Sequence, residues 1–262
     1  MRLILKTAIR FLFWQIGITN VGAYAMLVAL SPLSGVLIVW LRGDIKTTPG
    51  PVAPWSEVTP NLGWLLLGSL MGAGLVNAGP IAINILATKE QSELVTAFGN
   101  GVLLSRVPLF LFQAVQAALL PRLARLAAQG DLVEFRNGFR RLMQVVILVG
   151  VVGTVGSYAL GPPLLKIVYD DVLDRSSLTM LALGSALYMV ALATAQAVIA
   201  LNGHALVGMG WLLGMITFVG CTWLASDSLY FRVEIGLVAS SLVALAVFTV
   251  SLIRLLNEGA NI

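Results

Sequence analysis

Long apolar stretches separated by shorter polar ones dominate the pattern of this chain. Each is at least 21 residues long, and about 20 apolar residues allow an α-helix to cross the hydrocarbon layer of a membrane. No stretch alternates as a barrel strand does, and lipid cannot satisfy the backbone polar groups of irregular chain. The pattern predicts an all-α, polytopic membrane helix bundle of about seven or eight transmembrane helices. The clear spans are residues 21–41, 62–87, 94–120, 143–168, 177–201, 205–225 and 233–253.

Two polar interruptions are longer than the others, at residues 42–61 and 121–141. The first holds four of the ten prolines, and proline-rich chain forms an extended connector. The pattern thus predicts three regions: residues 1–41, a linker at 42–61, and six spans within 62–262. The start, MRLILKTAIRFLFWQIG, resembles a secretory signal, but Arg10 interrupts it and another apolar stretch follows. It therefore indicates one partial span before the full span at 21–41.

Composition agrees with a membrane chain. Hydrophobic residues make up 58% and charged residues 11% of the sequence, whereas soluble domains carry roughly 25% charge. The net charge of +4 comes from Lys and Arg between the apolar stretches. Because no basic face forms, we expect the lipid bilayer and no nucleic acid as a partner.

The distribution of Lys and Arg predicts the orientation in the membrane. If residues 121–141 are cytoplasmic, alternation places eight of these cations on the cytoplasmic side and three on the other, an excess typical of inner loops. The carboxyl terminus is then cytoplasmic, and so is the linker. Within this loop, DLVEFRNGFRR has a capping-box pattern at Asp131 and Glu134 and an apolar side, which predicts a helix lying on the membrane surface. An ordinary solvated loop helix is the alternative.

Arg106 is the ionisable residue nearest the middle of a predicted span, the 13th of the 27 residues 94–120. Burying a charge in lipid is costly, so such a residue is a candidate for function. Gln113 and Gln116 fall on the same side at helical spacing, and Pro108 predicts a kink beside the arginine. A guanidinium facing a cavity is suited to bind phosphate or diphosphate. Alternatively, helix carbonyls or an acid of a partner bundle neutralise it, or the helix register differs.

Two asparagines supply the other candidate residues. Asn77 and Asn84 lie seven residues apart, and hence on one helix face, with Pro80 between them. This pattern predicts a bent helix that lines a polar cavity, with hydrogen bonding between helices as the alternative. Gln196 is a similar, weaker case. The patterns Gly68–Gly72 and Gly210–Gly214 permit close helix approach.

The sequence contains no pattern typical of a catalytic site or a metal site. His204 is the sole histidine and Cys221 the sole cysteine, and no cluster has the spacing of a metal site, a triad or paired carboxylates. No Walker A loop is present. No span has a central Asp or Glu. We therefore expect no enzyme activity, no catalytic residue, no metal and no cofactor.

The stretch RVPLFLFQAVQAALLPRLARLAAQGDLVEFRNGFRR resembles the second half of polysaccharide exporters. These belong to the multidrug/oligosaccharidyl-lipid/polysaccharide superfamily, which is MATE-like and includes the lipid II and O-antigen flippases. The later LALGSALYMVALATAQAVIALNGHALVGMGWLLG is similar to the helical hairpin that follows in such proteins. The resemblance covers residues 21–253.

This resemblance implies a flippase that moves lipid-linked oligosaccharide or polysaccharide precursors across the bacterial cytoplasmic membrane by alternating access. Residues 1–41 are then the remnant of an amino-terminal bundle, and residues 62–262 are the carboxyl-terminal bundle. The implied partners are a lipid-linked saccharide with a diphosphate and a missing amino-terminal bundle or second copy. The cavity-lining candidates are Arg106, Gln113, Gln116, Asn77 and Asn84.

Two other functions remain open from the sequence. One is a non-transporting membrane scaffold of a polysaccharide-synthesis complex, in which Arg106 faces a neighbouring helix and no continuous cavity exists. The other is a membrane-embedded glycosyl transferase or polymerase, for which the loop with Asp170, Asp171 and Asp174 would supply the acids.

The predicted orientation is testable with single cysteines in a Cys221→Ser background. We expect Asp171→Cys to react with a membrane-impermeant thiol reagent in intact spheroplasts and Arg140→Cys to react only after lysis, because they lie in loops on opposite sides. The Cys221→Ser parent is the unlabelled control. Labelling of Arg140→Cys in intact spheroplasts would reverse the orientation.

Overall fold

A computed structural model describes residues 21–43, 55–224 and 228–258 of the chain. The chain divides into two compact units, residues 1–53 and 54–262. The described part of the first unit holds helix α1, Val21–Leu41, which ends at the residue predicted from its apolar run. The predicted partial span in residues 1–20 lies outside the described residues, as do residues 44–54 of the predicted linker.

The described part of the second unit is helical and contains no strand, so the predicted all-α class is confirmed. A short 3₁₀ turn, Lys89–Gln91, follows its first helix. Residues 55–61, which the sequence assigned to the linker, form the first turns of that helix. In chain order the helices are α2 (Trp55–Leu86), α3 (Ser92–Ser105), α4 (Val107–Ala128), α5 (Leu132–Tyr169), α6 (Arg175–Ala200), α7 (His204–Leu224) and α8 (Leu229–Glu258).

Six segments of the described chain are long and apolar enough to cross a membrane, one of them formed jointly by α3 and the start of α4. They indicate a multi-pass membrane protein. Helix α6 is the central one: 56% of its apolar window is buried, compared with 17% for the window in α5. It packs against α5 and α8, while α8 also packs along α7 and α7 packs along α2.

Small residues bring these helices close together. A Cβ added at Gly68 would lie 3.5 Å from the Gly208 Cα, where α2 meets α7, and one added at Gly214 would lie 3.1 Å from the Ser240 carbonyl oxygen, where α7 meets α8. Because lipid is as apolar as the side chains, helices in a membrane gain most from such close packing. The two glycine pairs noted in the sequence therefore lie at helix seams.

The surface helix expected at residues 131–141 is not a separate element. Asp131 does cap a helix, accepting a hydrogen bond from the Glu134 backbone N–H at 3.0 Å, but that helix is α5 and runs on to Tyr169 without a break. Phe135 is 0% exposed and Leu142 is 2% exposed. The apolar side of the amphipathic segment therefore packs into the bundle and does not lie on lipid. No glycine–proline pair separates residues 131–141 from the span that follows, and one continuous helix therefore forms.

Gly210 provides a test of the packing between α7 and α8. A Cβ at this position would overlap the ring of Phe248, which is fully buried and has no room to move. We expect Gly210→Ala to lower the free energy of unfolding by about 1–3 kcal/mol through overpacking. The measurement is thermal unfolding in detergent, followed by tryptophan fluorescence.

Gly220, on the same helix, is the matched control, because nothing lies within 4 Å of its added Cβ. Gly220→Ala should leave the unfolding midpoint unchanged or slightly raised, since alanine favours the helix. Equal midpoints for the two variants would contradict the close α7–α8 packing.

Candidate functional site

The predicted span at 94–120 is interrupted at Arg106, where α3 ends and α4 begins. The Arg106 backbone N–H is shared between the carbonyl oxygens of Val102 at 3.2 Å and Leu103 at 3.3 Å, which tightens the last turn of α3. Pro108, in the first turn of α4, has no N–H to donate to the preceding turn. The predicted kink is thus present as a one-residue interruption between α3 and α4, and residues 89–113 still form one segment able to cross a membrane.

The break directs the Arg106 side chain toward α2. Its Nη2 donates a hydrogen bond to the Val76 carbonyl oxygen, and its Nη1 is 3.5 Å from the Asn77 Oδ1. Asn77 is held in turn, because its Nδ2 donates to the Ala73 carbonyl oxygen at 2.8 Å. The structure therefore brings together two of the five predicted residues, Arg106 and Asn77.

Beside this contact lies a cavity of about 30 Å³, close to the volume that holds one water molecule. Five helices of the second unit contribute to its lining: α2, α3, α4, α6 and α8. Hydroxyl groups accompany the guanidinium in its lining, which includes Ser105, Ser185, Tyr188 and Ser241. The site therefore combines a fixed cation with several neutral donors and acceptors.

A larger cavity of about 310 Å³ lies between α2 and α6, with α7 contributing Val207 and Trp211. Tyr188 lines both cavities, and its hydroxyl donates to the Gly72 carbonyl oxygen at 3.0 Å, across from α6 to α2. Gln196, the weaker candidate from the sequence, lines the larger cavity. The tyrosine hydroxyl thus sits where the two cavities adjoin.

The remaining predicted residues lie elsewhere. Gln113, Gln116 and Asn84 line neither of these cavities. Gln113 and Asn84 are exposed and Gln116 is half-buried. The predicted polar stripe assumed that one helix ran through Arg106, and the structure interrupts the helix at that residue. A role of these three residues in substrate binding stays a prediction.

Sequence reasoning missed the hydroxyl residues around Arg106. Ser and Tyr are common in membrane helices, so they give little signal alone. On α6, Leu181, Ser185 and Tyr188 recur at helical spacing, and this periodicity would have grouped them on one face. It would not have shown that the face meets Arg106.

A buried acid also escaped notice. Glu234, near the start of α8, is 3% exposed, and its Oε1 has no hydrogen-bond partner in the described chain. Near it, Asp174 caps α6 by accepting from the Ser177 N–H at 3.1 Å. Burial acts to raise the pKa of the Asp174 carboxyl, but hydrogen bonds from Ser176 and Ser177 outweigh it and hold that pKa below its usual value.

Comparison with known proteins identifies a similar fold. No protein-family model matches the chain, and no curated protein matches it. The chain is similar to a crystal structure of MATE in the bent conformation, with a TM-score of 0.71 and 13% sequence identity. The match covers 99% of this chain and 62% of that one, so the chain spans less than two thirds of its length. At this identity the likeness shows the fold, and the MATE-like bundle expected from the sequence is confirmed.

The Tyr188 hydroxyl gives a test of this arrangement. We expect Tyr188→Phe to lower the free energy of unfolding by about 0.5–1.5 kcal/mol, because it removes the hydrogen bond to Gly72 while keeping the ring. Thermal unfolding in detergent measures the change. Tyr158→Phe is the control, since Tyr158 is exposed and meets Arg175 through its ring. Identical midpoints for wild type and Tyr188→Phe would mean that the hydroxyl does not join α6 to α2.

Proposed function

We propose that this chain is a membrane transport protein of the flippase type, which translocates lipid-linked oligosaccharide or polysaccharide precursors by alternating access. The observation that supports it most is the half-buried Arg106, which lies between two helices beside a small cavity that hydroxyl side chains help to line. The MATE-like fold supports it at the level of architecture. Its setting in this proposal is the bacterial cytoplasmic membrane, with the carboxyl terminus inside.

The chemistry of Arg106 suits a diphosphate. Its two partners in the described chain, the Val76 carbonyl and the Asn77 amide oxygen, are neutral, so neither cancels the positive charge. A guanidinium has five N–H donors in a planar fork and can bind two phosphate oxygens at once. Asn77 and Val76 would hold the fork in place while the remaining donors meet the substrate.

In this proposal a partner bundle supplies the second wall of the substrate pathway, opposite the bundle described here. Asn84 and Gln113 are exposed on this bundle and Gln116 is half-buried, so they are accessible to the sugar or to a partner bundle. That partner is an amino-terminal bundle or a second copy. Rocking of one bundle against the other would move the substrate without bond chemistry. The proposal therefore includes no enzyme activity and no cofactor.

One observation favours the alternative of a non-transporting scaffold of a polysaccharide-synthesis complex. The hydrogen bond from Arg106 to the Val76 carbonyl is what a purely structural arginine would make. In that case the residue stabilises the helix break and binds no anion. The two functions differ in whether Arg106 recognises a phosphate group.

A binding measurement distinguishes the flippase from the scaffold. It uses the chain in lipid nanodiscs and a fluorescent lipid-linked saccharide with a diphosphate. We expect Arg106→Gln to raise the Kd about 10- to 100-fold, since hydrogen bonds to charged groups contribute about 1.5–3 kcal/mol. The Kd of Arg106→Lys should fall between those of wild type and Arg106→Gln, because lysine keeps the charge and loses the planar fork. The same lipid ending in a neutral alcohol should bind wild type and Arg106→Gln alike.

Arg140→Gln is the charge-matched control, because Arg140 is exposed and lies in α5 away from both cavities. It should bind as wild type does. If Arg106→Gln and Arg140→Gln bind the diphosphate equally well while both unfold at the wild-type temperature, Arg106 is structural and the scaffold is favoured.

A further inference from the structure

A separate cavity of about 140 Å³ lies between α4 and α5. Two arginines contribute to its lining, Arg122 from α4 and Arg141 from α5, together with Glu134. The rest is apolar or lacks a side chain: Leu123, Gly138, Leu142 and Val145. Its lining thus combines two cations and one carboxylate with apolar side chains.

The two arginines differ in their ion pairing. Arg122 Nη2 is 3.2 Å from the Glu134 Oε1, in an ion pair whose side chains are 62% and 40% exposed. Such exposed pairs contribute about 0–1 kcal/mol, so a stronger acceptor can replace the carboxylate. Arg141 is exposed and has no ion-pair partner among the described residues. One unpaired cation and one weakly paired cation therefore face the same pocket.

The pocket lies where the polar end of α5 meets its membrane span. Arg141 is the last arginine of the helix, and residues 142–168 that follow contain Lys166 as their sole charged residue. Gly138, Arg141 and Val145 share one helix face, with Val145 one turn deeper than Arg141. Val145 is 45% exposed, and a Cβ at Gly138 would come within 3.2 Å of the Leu123 side chain. Gly138 therefore lets α5 pack closely against Leu123 of α4, and Val145 gives the pocket an exposed apolar wall.

We propose that this pocket binds the headgroup of one anionic glycerophospholipid. Arg141 and Arg122 bind its phosphate, and an acyl chain lies along Val145 toward the hydrocarbon layer. Basic pockets between membrane helices bind anionic lipid headgroups in this manner. The site is distinct from Arg106 and does not depend on what the protein transports.

Native mass spectrometry of the detergent-solubilised chain tests this site, because it counts individual bound lipids apart from the diffuse attraction of a charged bilayer. The probe is phosphatidylglycerol, with phosphatidylcholine as the zwitterionic comparison. We expect one phosphatidylglycerol to bind preferentially and Arg141→Gln to weaken it about tenfold or more. Glu134→Gln should strengthen it by up to about fivefold, because it releases Arg122.

Arg140→Gln removes the same charge one residue away and outside the pocket, so it should change this binding less than about twofold. If Arg140→Gln and Arg141→Gln lost the same amount of phosphatidylglycerol binding, the binding would reflect general charge attraction, and the proposed site would be overturned. Inorganic phosphate that displaces the lipid at equal concentration would also overturn it, because the apolar wall would then contribute nothing. Unchanged thermal unfolding of Arg141→Gln confirms that a loss of binding is not a loss of fold.

Discussion

Backbone hydrogen bonding inside the bilayer is the constraint to which the rest of this structure responds. With no water available, each N–H and C=O at membrane depth needs a protein partner, so continuous helices are the default. The chain departs from this default at Arg106, where the helix stops and restarts. Broken helices are tolerated where they face protein or a polar cavity, and this one has both: the α2 backbone at Val76 and a small hydroxyl-lined space.

Arg106 lies at the junction of α3 and α4, and its guanidinium crosses to α2. There a carbonyl oxygen and the Asn77 amide orient it. Tyr188 ties α6 to the same part of α2 one turn away, through the Gly72 carbonyl. The α2 backbone is thus the common hydrogen-bond acceptor for both polar side chains.

The chain separates its charges by depth. Arginines concentrate at the α4–α5 end, where Arg122 and Arg141 line a pocket at the edge of the apolar span. Acids concentrate at the opposite end of α5 and the start of α6, with Asp174 as a helix cap and Glu234 buried nearby. Between these ends, Arg106 is the cation held at membrane depth.

Several features could be predicted from the sequence because they depend on local properties. Span length and apolar continuity located the helices, and the last residue of α1, Leu41, is the one predicted. Pro108 predicted the disturbance beside Arg106, since a missing N–H acts within one turn. Asp131 predicted a helix start. Each of these is a property of neighbouring residues and needs no knowledge of the other helices.

The tertiary structure alone decided the contacts between helices. Arg106 meets Val76 and Asn77 on α2, and periodicity along a single helix cannot show such a contact with another helix. The burial of Phe135 in the bundle, in place of a surface helix, depends on which neighbours surround α5. Periodicity determines which residues share a face. Which helix that face meets depends on the glycine and alanine contacts that let particular helices approach each other. Those contacts join residues that are far apart in the chain.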